Sequence, residues 1–374
     1  MRKILFITWT RADYYKLLPL IRVVDFSEDF ESHVFVTGMH TSIEYWYTAH
    51  EVQSNNHNNL YLNINHNLSD LTEKICAQTI ISISQYCEQY KPSLIVVHGD
   101  RPEAIAGAIV WGYKNIHVCH IEWWENSWSI DESVRFAITK LSQIHFVSND
   151  NAKLALIAQW ENQNYVFDIW SPEFDLIYSG KEISLKDVKH KYAIDFEEYW
   201  IFIFHGISTE LGDMDHFADE VISWLINSGK KFIIIQPNND LWSWLVKSRL
   251  DTIDKKYSDD NLIFFPSIPF LEFSILLSWS KCIVWNSSTG VRQAPWMWVY
   301  SINIGTRQNN RSHAHTIFNV WYEQKEITAL INRVWKLDKP EKVHEFWEWN
   351  SWTLFKEIIY NEDFWKIPLQ KSYQ

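Results

Sequence analysis

LIVVHGDRPEAIAGAIVWGYKNIHVCHI, residues 94–121, decides the fold. Its ends, 94–98 and 116–121, are short apolar runs rich in Ile and Val and bounded by polar residues, as buried strands are; 102–113 between them carries apolar residues at helical spacing. A strand, a helix and a second strand in this order predict a parallel pair joined by a right-handed crossover.

The same alternation runs outward in both directions. Strands are expected at 3–8, 33–37, 145–147 and 165–169, with helices at 14–24, 69–90, 131–141 and 151–159. Later in the chain, strands at 200–204, 232–236, 262–265, 282–284 and 301–304 alternate with helices at 213–227, 241–255, 271–278 and 323–335. Pro172 and Gly180 interrupt the pattern, and a charged helix follows at 184–192, which sets a hinge near 171–195. The expected architecture is α/β: two doubly wound, Rossmann-like domains facing a central cleft, GT-B-like, with a first domain at 1–170 and a nucleotide-binding second domain at 171–374 that includes a C-terminal helix.

Composition narrows the function. The chain has 374 residues and a formal net charge of −12, with no long basic run, so nucleic acid is not the expected partner. Cys76, Cys87, Cys119 and Cys282 are widely spaced, with no CxxC pair, which fits a reducing compartment. The start, MRKILFITW, goes directly into a strand, and no apolar run reaches membrane-spanning length, so a cytoplasmic protein away from the membrane is expected.

In such a fold the chemistry gathers just past the strands. Arg11 and Asp13 follow the first strand, His98, Gly99, Asp100 and Arg101 the third, and His120 and Glu122 the fourth; His205, the run NSSTG at 286–290 and the run GTRQ at 305–308 do so in the second half. Carboxylates gathered in one cleft can supply an acid and a base at neutral pH, which singles out Asp100, Glu122 and Asp131, although an Asp before a helix is also an ordinary cap. NSSTG opening a helix offers N–H groups and hydroxyls to a phosphate or diphosphate, and Arg11, Lys16, Arg307 and Arg311 offer cations. The His and acidic pairs lack the fuller spacing of a zinc site, so no metal is expected; with no GxGxxG and no GxxxxGK[ST], neither is a dinucleotide or nucleoside triphosphate.

TWTRADYYK (8–16), VTGMH (36–40), VVHGDRPEAIAGAI (96–109), HIEWWENSWSIDESVRFAITKLSQIHFV (120–147), QPNND (236–240), NSSTGVRQAP (286–295) and SINIGTRQNNR (301–311) together resemble the hydrolysing UDP-N-acetylglucosamine 2-epimerases of sialic-acid biosynthesis. The resemblance implies conversion of UDP-N-acetylglucosamine and water to N-acetylmannosamine and UDP, by elimination and then hydration, with no cofactor. It implies Asp100, Glu122 and Asp131 as the acid and base groups and His205 as the residue that assists departure of UDP. Arg11 and Lys16 match the basic first loop, and Ser287, Ser288 and Gly290 the diphosphate cradle; Arg135, Gln293 and Arg307 join the substrate-binding set. A homo-oligomer, dimer or tetramer, is expected. Gly206 in GISTE, where the family has PVTTE, and Gln293, where a Glu grips the ribose, depart from the pattern. The alternatives are a hydrolysing 2-epimerase acting on a UDP-2,4-diacetamido-2,4,6-trideoxyhexose, a non-catalytic sugar-nucleotide-binding protein and a retaining glycosyltransferase; a mere binder would not need the four catalytic side chains.

Typical usage would give roughly 26 glycines in this length, yet there are 10, beside 22 tryptophans. In the resembling motifs, Trp9, Trp123, Trp124, Trp128, Trp170 and Trp285 stand on family glycines. Glycine serves there for positive φ and close backbone approach, which indole defeats. The expectation is a gene in which UGA means glycine and is written here as tryptophan. The chain as written would then crowd its cleft and be poorly active.

Overall fold

The computed structural model describes residues 1–43, 46–64, 72–122, 130–179, 183–206, 213–237, 243–256, 261–309, 311–348 and 350–371, with Ile130, Asp131 and Ser179 by backbone alone. It divides into two compact units, Met1–Glu125 with Asp131–Ser179 and Phe346–Gln374, and Asn126–Ile130 with Gly180–Glu345.

The first unit runs β1 (Arg2–Thr8), α1 (Arg11–Asp25), β2 (Phe30–Val36), α2 (Ala49–Ser54), β3 (Leu60–Leu62), α3 (Thr72–Tyr90), β4 (Leu94–His98), α4 (Pro102–Lys114), β5 (His117–Ile121), α5 (Ile130–Leu141), β6 (Ile144–Val147), α6 (Asp150–Ala158), β7 (Val166–Asp168) and α7 (Glu173–Ser179). Its sheet has the order β3-β2-β1-β4-β5-β6-β7, every neighbour parallel. Helices cover both faces of such a sheet, which is why the strand interiors read as apolar runs rather than alternating ones. Leu94, Ile95, Val96 and Val97 of β4 are fully buried. Gly107 lets α4 lie close on that sheet: a Cβ there would fall 2.6 Å from Ile7 and 2.8 Å from Val97.

The second unit runs α8 (Leu185–Lys191), β8 (Trp200–Ile203), α9 (Met214–Asn227), β9 (Phe232–Ile235), α10 (Ser243–Lys256), β10 (Leu262–Phe265), α11 (Phe270–Trp279), β11 (Cys282–Trp285), α12 (Ser288–Trp296), β12 (Tyr300–Ile304), β13 (Ile317–Val320) and α13 (Gln324–Val334). Its parallel sheet is ordered β10-β9-β8-β11-β12-β13, the same winding as the first. Both units are thus doubly wound α/β folds, and strand order reverses between β1 and β4 in one and between β8 and β11 in the other.

The edge strands β3 and β13 lie outside the expected set. Both are short and only partly buried, so their sequences lack the apolar run that marks the central strands. The C-terminal segment also differs from the expected second domain. Helix α14 (Ser351–Tyr360) belongs to the first unit. Aromatic contacts hold it there: Phe355 meets Phe146 edge-on at 5.5 Å, and Phe364 stacks on Phe146 at 6.4 Å. Lys371, near the chain end, pairs with buried Glu161 at 2.5 Å. Among the described residues no helix is long and apolar enough to cross a membrane.

Candidate active site

In the first unit the carboxyl ends of β4 and β5 present the polar groups. Glu122 is the residue after β5; it is buried and takes a φ of 57°, a left-handed conformation that is uncommon outside glycine and that concentrates at functional sites. Its Oε2 accepts from Lys16 Nζ at 2.6 Å and from His98 Nε2 at 3.0 Å. Its Oε1 faces the hydroxyl of Ser171, and the same hydroxyl lies 2.8 Å from Glu173 Oε2. Lys16 reaches this point from α1, which begins with a capping box between Thr10 and Asp13. Asp13, one of the polar residues after β1, is therefore the buried N3 member of that capping box. Burial pushes its carboxyl up to about 7 against the hydrogen bonds from Thr10 and Trp9.

Asp100 pairs with Arg135, whose guanidinium comes from the second turn of α5 and is nearly buried. His120 braces this pair from below: Nε2 donates to the Gly99 carbonyl at 2.7 Å and Nδ1 meets Thr139 Oγ1 of α5 at 3.2 Å. Burial holds its pKa down at about 3, so the ring is a neutral strut between the β4 loop and α5. Asp131 lies in the first turn of α5, one turn before Arg135, and its side chain is outside the described residues. Arg11 is the first residue of α1. Its guanidinium pairs with Glu51 of α2, which also accepts from the Tyr15 hydroxyl at 2.9 Å.

In the second unit, His205 follows β8 and Asn286 follows β11, side by side at the reversal of strand order. The His205 N–H donates to Asn286 Oδ1 at 2.7 Å, and Asn286 Nδ2 returns a bond to the His205 carbonyl at 2.9 Å. The Asn286 carbonyl accepts from Arg307 Nη1 and Gln308 Nε2, both at 2.9 Å. Ser287 is the N-cap of α12, and its hydroxyl makes no capping bond. Ser288, Gly290 and Gln293 follow within the helix, so the first turn carries hydroxyls and N–H groups of the kind that bind anions. The indole of Trp285 lies directly against Gly290, where a Cβ would stand 1.9 Å from the ring.

The structure therefore gathers Lys16, Glu122, Asp100 and Arg135 in one unit and His205, Ser287, Ser288, Gly290, Gln293 and Arg307 in the other. The sequence gives no role to His98, a partner of Glu122, or to Asn286, the partner of His205, and does not point to Ser171 and Glu173 at all. His98 and Asn286 were legible as strand-end residues. Ser171 and Glu173 carried no signal, because their nearness to Glu122 depends on the order β5-β6-β7. Among the described residues no group of three His, Cys, Asp or Glu side chains could hold a metal ion.

Residues 23–359 match the family described as UDP-N-acetylglucosamine 2-epimerase. A UDP-N-acetylglucosamine 2-epimerase of Neisseria meningitidis serogroup B is 38% identical over the whole chain and 99% of its own length. A UDP-N,N'-diacetylbacillosamine 2-epimerase (hydrolyzing) of Legionella pneumophila is 26% identical over 91% of this chain and 90% of its own. Among solved structures, the UDP-GlcNAc 2-epimerase of Methanocaldococcus jannaschii in complex with UDP-GlcNAc and UDP superposes with a TM-score of 0.78 at 18% identity, covering 96% of this chain and 98% of that one.

Proposed function

Because the chain belongs to the UDP-N-acetylglucosamine 2-epimerase family, we propose that it is the hydrolysing kind, turning UDP-N-acetylglucosamine and water into N-acetylmannosamine and UDP in sialic-acid-type biosynthesis. The observation that carries this reading is Glu122, buried and held through both oxygens by Lys16, His98 and Ser171, with the Asp100–Arg135 pair at the next strand end.

The reaction needs two proton transfers and a leaving group. A carboxylate takes the proton from C2, the electrons of that bond form a C1–C2 double bond, and the C1–O bond breaks as UDP departs. Water then adds its oxygen at C1, and a proton returns to C2 from the opposite face. Asp100, Glu122 and Asp131 serve these transfers, with Arg135 orienting the acidic groups. The departing diphosphate is met by the first turn of α12, with Ser287, Ser288 and Gly290, by Arg307 and by His205; Arg11, Lys16 and Gln293 complete the substrate contacts. Preorganised donors and cations stabilise the charge that develops on the leaving oxygen.

The test is incubation with UDP-N-acetylglucosamine in heavy water, followed by NMR. Free UDP and N-acetylmannosamine with deuterium at C2 are expected. A product that keeps its nucleotide would identify a non-hydrolysing epimerase instead. The Legionella relative favours a second reading, a UDP-2,4-diacetamido-2,4,6-trideoxyhexose as substrate, and turnover of that sugar nucleotide alone would establish it.

A further inference from the structure

Left-handed backbone is where tryptophan should be scarcest, since a bulky side chain at positive φ is a steric outlier. This chain does the reverse. Tryptophan supplies 22 of 374 residues. Yet among the described residues it supplies four of the ten non-glycine positions at positive φ: Trp46 (65°), Trp160 (70°), Trp170 (61°) and Trp298 (57°).

Two of the four sit where a helix ends. Helix α6 stops at Ala158 and the cap is Gln159. The next two amides close the turn, Trp160 N–H to the Ile157 carbonyl at 3.0 Å and Glu161 N–H to the Leu156 carbonyl at 3.1 Å. That is the Schellman arrangement, with Trp160 on the position where glycine is the usual residue. Helix α12 ends in the same way: Met297 is the cap, Val299 N–H reaches back to the Ala294 carbonyl at 3.0 Å, and Trp298 takes the left-handed position. Trp160 is 69% exposed, so little packing offsets the strain there; Trp298 is 45% exposed, with Lys342 over its ring at 4.8 Å.

Inside the fold three indoles lack a partner among the described residues, although buried Trp347 donates to Asp175 at 2.9 Å. A buried indole N–H usually finds an acceptor, but Nε1 of Trp111, Trp200 and Trp285 has none among the described residues. Trp365 is the contrast: it has no left-handed backbone, its Nε1 donates to the Ile359 carbonyl at 2.8 Å, its ring stacks on Phe30, and Arg2 lies over it.

We propose that positions 46, 160, 170 and 298 are glycine in the protein that the source cell makes. The codon at each is UGA, read as glycine there and written here as tryptophan, whereas Trp365 is tryptophan encoded by UGG. The proposal stands on backbone geometry and composition and is independent of the reaction assigned above. It is tested by reading the five codons in genomic DNA and by tandem mass spectrometry of peptides from the protein purified from its source. Expected are UGA and glycine masses at the four positions, with UGG and a tryptophan mass at 365. A tryptophan mass, or a UGG codon, at 160 or 298 would overturn the proposal. Both readouts are blind to catalysis, so neither changes if the enzyme proves inactive or takes a different substrate.

Discussion

Glu122 and Glu173 share one hydroxyl, that of Ser171, which lies within hydrogen-bonding reach of a carboxyl oxygen of each. A serine hydroxyl has a single hydrogen to give. A proton on one of the two carboxyls would satisfy both contacts together and could pass between them through the hydroxyl. Replacing Glu122 by Gln removes one of the three proposed acid and base groups and is expected to lower kcat by roughly 10²–10⁴-fold. Glu173→Gln keeps the shape but not the titration, so its expected effect is a displaced limb in the pH profile of kcat with little change in KM. A pH profile identical to that of the unaltered chain would show that Glu173 plays no part in the exchange.

Lys16 sets the charge balance of the same group. Its ammonium and the Glu122 carboxyl are both almost withdrawn from solvent, and breaking a buried pair on one side leaves the other charge uncompensated, at a cost on the order of 3 kcal/mol. Lys16→Met should therefore lower the melting temperature as well as the activity. The double variant Lys16→Met/Glu122→Gln should regain most of the lost stability and none of the activity. Additive losses of stability would mean that the two side chains are not coupled.

How far the sequence reaches is visible in particular residues. The central strands were legible because a parallel sheet covered on both faces demands apolar runs such as Leu94–Val97, and the strand-end rule then found Asp100, Glu122 and His205 without any contact being known. It missed Ser171 because that residue follows β7, two strands from β5, and only the lateral order of the sheet brings it to Glu122. It misplaced the last helix because what fixes α14 is a set of aromatic contacts with β2 and β6, Tyr360 on Phe30 and Phe355 on Phe146, between residues more than two hundred apart along the chain. Local pattern carries no record of such pairings.

Asn286 is predicted to act through His205. It fastens the His205 backbone by two hydrogen bonds while its own carbonyl accepts from Arg307 and Gln308. Asn286→Ala removes both bonds to His205 and leaves a buried N–H and C=O unsatisfied, at about 1–3 kcal/mol per group. The expected result is a lower melting temperature and a raised KM for the UDP-sugar. Asn286→Asp keeps an acceptor for the His205 N–H and should retain more substrate affinity than Ala. Equal KM values in the two variants would indicate that the His205 backbone is held by other means.

Acid stability should depend on Glu161. Its carboxyl is buried against His145 at 3.1 Å, Lys140 at 2.7 Å and Lys371 at 2.5 Å. Although burial alone would raise its pKa, the hydrogen bond from His145 and the neighbouring cations prevail and hold it down at about 2. A folded pKa below the ordinary carboxylate value means that the unfolded chain binds the proton more tightly, so the stabilisation is present above about pH 4.5 and is lost as pH falls towards 2. The depression corresponds to about 3 kcal/mol at most. Glu161→Gln should thus be less stable than the unaltered chain at pH 7 and close to it near pH 2, with a shallower dependence of unfolding free energy on pH between those limits. Urea unfolding followed at intervals from pH 2 to pH 7 measures this directly. Parallel curves for the two proteins would show that the cluster of Lys140, His145 and Lys371 does not act on the Glu161 charge.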